Sequence, residues 1–359
     1  AIPERASPMP RDSYRVDNPY HREGPVVMVL GDDDMDIDSA QPHPIMAQSR
    51  AVWKRTKGFV KLGIFAAFAG AYPSWMAASH SVDVTPVPID GANWASPEAG
   101  VAMTLIAREV SGPGWSADKA SWNPVHHLTA QPAWQVSLTY SLSDVTQLSA
   151  ALAISGNEPD TDLAAASRLL RPTAGEPMTP RLIAAAEALA SYDSRVASGT
   201  AADIDTAEQV TELLGLFVGW AEDSAGELSD QIALGAAWPA SRADIRAFYN
   251  ARARAHVASH MIDAAVAKDP DIAKTAAIRA QIREATTAWY RVAQQAPLIV
   301  SNQNGDNPLL PNHLAAMAWH LNGAEDATRQ LADMVAGTHE GDISIANAGN
   351  LVLAPTSAP

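Results

Sequence analysis

Trp53-Lys54-Arg55-Thr56-Lys57-Gly58-Phe59-Val60-Lys61 leads directly into Leu62-Gly63-Ile64-Phe65-Ala66-Ala67-Phe68-Ala69-Gly70-Ala71-Tyr72-Pro73-Ser74-Trp75-Met76-Ala77-Ala78. The second part is seventeen residues without a formal charge, about 25 Å of chain if helical. The hydrocarbon core of a bilayer is roughly 30 Å thick, so a span here requires Lys61 to snorkel or the bilayer to thin. Cations cluster before the run, whereas His80 to Asp90 holds neither Lys nor Arg. The positive-inside bias therefore predicts a single N-terminal transmembrane helix, with residues 1–61 cytoplasmic and residues 80–359 periplasmic, in a bacterial inner membrane. A buried Ala/Gly/Phe core helix is the competing reading, because Gly63, Gly70 and Pro73 weaken the run. A cleaved secretory signal is disfavoured by the roughly 50 residues ahead of the basic cluster. Ala1 reads as a native terminus from which an initiator Met has been removed.

Residues 1–61 carry nine cations and nine anions, leaving 16 cations against 31 anions for the remainder. The net charge of −15 thus lies beyond the span, which disfavours nucleic acid and anionic headgroups as partners of the main domain. Zero Cys excludes disulfides and thiol catalysis.

Residues 1–50 hold Pro3, Pro8, Pro10, Pro19, Pro25, Pro42 and Pro44 with little periodicity and read as a Pro-rich acidic cytoplasmic tail. Its apolar run Pro25-Val26-Val27-Met28-Val29-Leu30 is the segment expected to dock on a partner. The acidic run around Asp34, Asp36 and Asp38 fails as a calcium loop, since Ser39 stands where Gly is needed and Ile45 where the bidentate Glu belongs. Residues 51–79 form the basic flank and transmembrane helix, and 80–95 a linker. Residues 96–337 form the main domain, and 338–359 a C-terminal tail.

Within 96–337 the punctuation is helical throughout. Ser96-Pro97-Glu98 starts a helix to about Val110. A loop with Trp115, Trp122, His126, His127 and Trp134 leads into a second helix, to about Ile154. Further helices are expected over Asp160–Leu170, Thr179 to Val196, Thr206 to Leu234, Ser241 to Lys268, Asp271 to Gln295 and Asn312 to Ala336. No segment alternates as a strand does, so the fold class is all-α, an antiparallel helical bundle. Val210, Leu214, Phe217, Ala221, Leu228 and Ile232 form one apolar stripe. Leu314, Met317, Ala318, Leu321, Ala324, Thr328, Leu331 and Val335 form another. Gly215, Gly219 and Gly226 are expected to permit close helix contact.

The chemical candidates are few. His256 and His260 share a helix face with Asp263 beyond them, a spacing that can hold a metal, although no third ligand is evident. A ligand pocket gathering Trp122, His126, Trp134 and His260 is the alternative to a purely structural role. No GxSxG, Walker loop, GxGxxG or CxxC is present, so no catalytic, cofactor-binding or metal residue is assigned.

Phe248-Tyr249-Asn250-Ala251-Arg252 with His260, then Pro297-Leu298-Ile299-Val300-Ser301-Asn302, then Leu310-Pro311-Asn312-His313-Leu314-Ala315, resembles the bacterial family known as domain of unknown function 2333. Ser96 to Val110, Gln131-Pro132-Ala133-Trp134 and Asp160-Thr161-Asp162-Leu163 are similar to its N-terminal half, and the likeness covers most of residues 60–337. It implies one N-terminal membrane anchor and a helical envelope domain, and it implies no reaction. The long tail before the span, the short Gly-rich span and residues 338–359 depart from the family's pattern. The expected role is a non-catalytic accessory or scaffolding subunit of an inner-membrane complex, respiratory or photosynthetic for instance. Its expected partners are the lipid bilayer and other inner-membrane subunits, not nucleic acid. A periplasmic ligand-binding or hydrolytic module is the alternative.

Overall fold

The structure is a computed structural model that describes residues 53, 56–67, 70–71 and 74, and from residue 81 to 352 all but 90–93, 156–157, 203, 205, 237–238 and 304–310. The expected docking tail, residues 1–50, lies outside the described residues, as do residues 68–69, 72–73 and 75–80 of the apolar run and its C-terminal flank. Residues 56–67 are helical. Among the described residues, no helix is long and apolar enough to cross a membrane, so the expected transmembrane helix is not seen as such.

The chain divides into two units at Gly63/Ile64, and the fold described here is that of the larger one. Helix α1 spans Pro97–Ser111, α2 Pro124–His127, α3 Ala130–Leu152 and α4 Thr161–Leu170. Then follow α5 at Met178–Ala197, α6 at Thr206–Ala233, α7 at Arg242–Lys268, α8 at Ala276–Ala293 and α9 at His313–Val352. The all-α reading holds. Among the described residues, the strand pair is a two-residue antiparallel one, β1 (Ile154–Ser155) with β2 (Glu158–Pro159), closing the turn between α3 and α4.

The helix starts follow from their caps. Ser96 accepts from Ala99 N at the head of α1. Asp160 accepts from Asp162 N and Leu163 N at α4. Ser241 and Asp244 form a reciprocal capping box at α7. Helix α5 has no cap of its own, and Asp118, on a short 3-10 turn, takes the Met178 and Thr179 amides at 2.9 and 2.6 Å. The helix expected from Asp271 is split: Asp269 caps a 3-10 turn at Pro270–Ala273, and Thr275 restarts the chain as α8. Helix α9 runs past the expected end at Ala336 to Val352, through the boundary drawn at 337. Gly337 weakens a helix without ending it, and no proline intervenes before Pro355.

Helix α7 is central, packing against α1, α3, α6, α8 and α9. Lys268, Arg254 and Asn250 meet Gln209, Ser224 and Glu227 in turn, so α6 and α7 run antiparallel. Arg252 meets Ala293 and Asp263 meets Thr286, so α7 and α8 do too. The α6 stripe is buried at every expected position except half-buried Ile232, and the α9 stripe at every one except half-buried Ala318. The expectation for Gly215, Gly219 and Gly226 is corrected: a Cβ built on any of them meets nothing within 4 Å. A glycine that does make a close approach to a side chain is Gly100 of α1, where a Cβ would lie 2.0 Å from the Trp94 ring.

Candidate functional site

Two places collect chemistry-bearing side chains in the larger unit. The first is buried on α7. His260 accepts from Val87 N through Nε2 at 2.9 Å and donates from Nδ1 to the His256 carbonyl at 2.7 Å. Those two bonds require the neutral Nδ1–H tautomer. His256, one turn earlier, is 1 % exposed, and neither ring nitrogen has a hydrogen-bond partner. Its ring packs on Trp134 at 5.4 Å and on His260 at 4.4 Å between centroids. Burial lowers the pKa of both histidines, His256 well below the ordinary value, with His260 and Arg108 adding to the effect on His256.

Around this pair several polar groups are bound in structural hydrogen bonds, while Arg252 Nη1 is buried without one among the described residues. Trp134 Nε1 and Gln135 Nε2 donate to the two oxygens of Glu109 at 2.9 and 2.8 Å, and burial raises that carboxyl's pKa nonetheless. Arg252, also buried, donates from Nε to the Ala293 carbonyl at 2.7 Å, and its guanidinium lies over the rings of Trp134 and Tyr249. Arg108 donates to the carbonyls of Thr85 and Pro86, so Arg108 and His260 together pin residues 85–87 to the bundle. Glu98 is a further buried acid, its pKa raised by desolvation, with Oε1 unpartnered beside a cavity of about 20 Å³ that Tyr192, Gln209 and Lys268 also line. That volume suits one water molecule.

The second place is open. A cleft of about 490 Å³ lies between the starts of α3 and α7. Arg242, Arg246 and Asn250 line one wall at i, i+4, i+8 spacing along α7. His126 and His127 of α2 belong to the lining, and Leu128, Pro132, Ala133 and Val136 supply an apolar floor. His127 Nε2 donates to the Ser121 carbonyl at 2.6 Å, and Asn250 reaches Glu227 at 3.4 Å. Among the described residues, no hydrogen bond or ion pair engages the guanidinium of Arg242 or Arg246, while Arg171, Arg181, Arg195 and Arg329 all sit in salt bridges. Thr129, the residue before α3, gives that helix no side-chain cap.

The pocket expected from Trp122, His126, Trp134 and His260 is not assembled. Trp122 is exposed, His126 lines the open cleft, and Trp134 and His260 are buried together around α7. His256, His260 and Asp263 do not converge on a metal either. Both His260 nitrogens are taken, Asp263 accepts from Thr286, and no group of three potential ligands occurs among the described residues. Sequence reading passed over Arg242 and Arg246, although an i,i+4 arginine pair just after a Ser cap was visible. No protein-family model, curated protein or solved structure matches the chain.

Proposed function

We propose that this chain is a non-catalytic accessory or scaffolding subunit held at the bacterial inner membrane by residues 51–79, with residues 1–61 cytoplasmic and 80–359 periplasmic. The observation that carries this reading is the surface of residues 53–65. Trp53, Phe59, Val60, Leu62, Ile64 and Phe65 are 53 to 72 % exposed, in a segment that also bears Lys57 and Lys61. Burying such a side chain is worth about 1.5–3 kcal/mol, so six together favour an apolar surface, lipid or protein, over water. The lysines suit the headgroup region. A scaffolding role is supported by the way Glu109, Gln135 and His260 are engaged in bonds that hold the bundle together. The resemblance to the domain of unknown function 2333 family implies the same anchored architecture.

Flotation of the full chain with liposomes, beside a variant lacking residues 53–78, tests the anchor. Co-flotation that survives alkaline carbonate is the outcome expected of a span. Flotation reversed by carbonate would assign the segment to the interface, and equal behaviour of the two proteins would sink the membrane reading. Protease treatment of spheroplasts tests the topology, with digestion of the main domain expected while the inner membrane is intact.

A further inference from the structure

The cleft between α3 and α7 has a composition that the membrane reading does not use. A volume of about 490 Å³ fits a small organic molecule, and the lining divides it into an apolar floor and a wall of nitrogen donors. Leu128, Pro132, Ala133 and Val136 make the floor, so an apolar body is accommodated there. The donors are the guanidinium forks of Arg242 and Arg246 and the His126 ring, with Asn250 beside them already turned to Glu227. The two arginines hold no partner among the described residues, in a chain whose net charge of −15 supplies carboxylates in excess.

We propose that this cleft binds a small organic phosphate, with the phosphoryl group against Arg242 and Arg246 and the apolar body on the Pro132 to Val136 floor. A phosphoryl group carries three acceptor oxygens and close to two negative charges. Two guanidinium forks can engage it bidentately and share it between them, whereas a carboxylate offers two oxygens and a single charge. The same phosphoryl chemistry belongs to free esters and to phospholipid headgroups.

Calorimetric titration of the full chain in detergent separates the cases. The probes are phenyl phosphate, benzoate, phenol, and dihexanoyl phosphatidate below its micelle concentration. Saturable binding of phenyl phosphate or of the phosphatidate is expected, with benzoate at least tenfold weaker and phenol inert. The better of the two phosphates identifies the natural source as a free ester or a lipid headgroup. Arg242→Gln with Arg246→Gln should lower that affinity at least tenfold, and the double Lys variant should retain part of it, since charge remains and the forks are lost. Both arginines are exposed and unbonded, so circular dichroism of these variants should match the native chain. No saturable phosphate binding, benzoate binding as tight as phenyl phosphate, or an affinity unchanged in the Gln variant would each overturn the assignment. None of these outcomes depends on residues 53–78.

Discussion

His260 works only as a neutral ring, because a proton on Nε2 would remove the acceptor that holds Val87 N. Its folded pKa and that of His256 lie below the ordinary value of about 6.5. The unfolded chain therefore binds protons that the folded chain refuses, and stability present above about pH 6.5 is lost as the pH falls through and below it. Glu98 and Glu109 act in the opposite sense: burial raises their folded values, so their contribution grows as the pH drops toward the carboxylate range. A comparison of variants isolates the histidine contribution. Between pH 7 and 5.5, the native chain should lose more stability to denaturant than His260→Gln, whose amide keeps a donor and an acceptor but does not titrate. Each unit of pKa depression corresponds to about 1.4 kcal/mol. Equal losses would show that the His260 proton is not coupled to folding. That His256 and His260 share a face was legible from their spacing; that the face is buried was not, because burial depends on α1, α3 and residues 85–87 arriving from elsewhere in the chain.

At the scale of elements, all three helices α6, α7 and α9 were readable, but a buried face was readable only for α6 and α9, for one reason. Helices α6 and α9 bury one side, so Leu214, Phe217, Leu228, Leu321 and Leu331 repeat with helical period. Helix α7 is covered on nearly all sides. Its buried set mixes Ala251, Ala255 and Ala258 with Arg252, His256 and His260, which leaves no stripe to detect. The α6 glycines give a separate test. Since Gly215, Gly219 and Gly226 face open space, each replacement by Ala should stabilise the domain by about 0.5–1 kcal/mol through helix propensity. Gly100→Ala in α1 should instead destabilise by about 1–3 kcal/mol, as the new Cβ meets the Trp94 ring. Thermal midpoints of the four single variants decide the matter. A loss at the α6 sites would mean that a partner packs there.

Across the whole molecule, the buried residues of α1 and α3 through α9 join into one apolar cluster. Leu142 of α3 and Leu321 of α9 are both fully buried in it. Replacing either with Ala should cost roughly 2–5 kcal/mol and shift one common unfolding transition. Calorimetry would show two separated transitions if the helices instead formed independent cores, and a change below about 0.5 kcal/mol would remove that leucine from the core. The sequence by itself determined the helical class, the helix starts at Ser96, Asp160 and Ser241, and the apolar faces of α6 and α9. These depend on residues within one or two turns of each other, where caps and periodicity act. Only the tertiary structure decided that α7 is the central helix, that Trp134 joins the buried histidines while His126 does not, and that Arg242 and Arg246 meet the start of α3 across a cleft. The last two juxtapositions link residues more than a hundred positions apart, and the energy of all three comes from packing that no local pattern encodes.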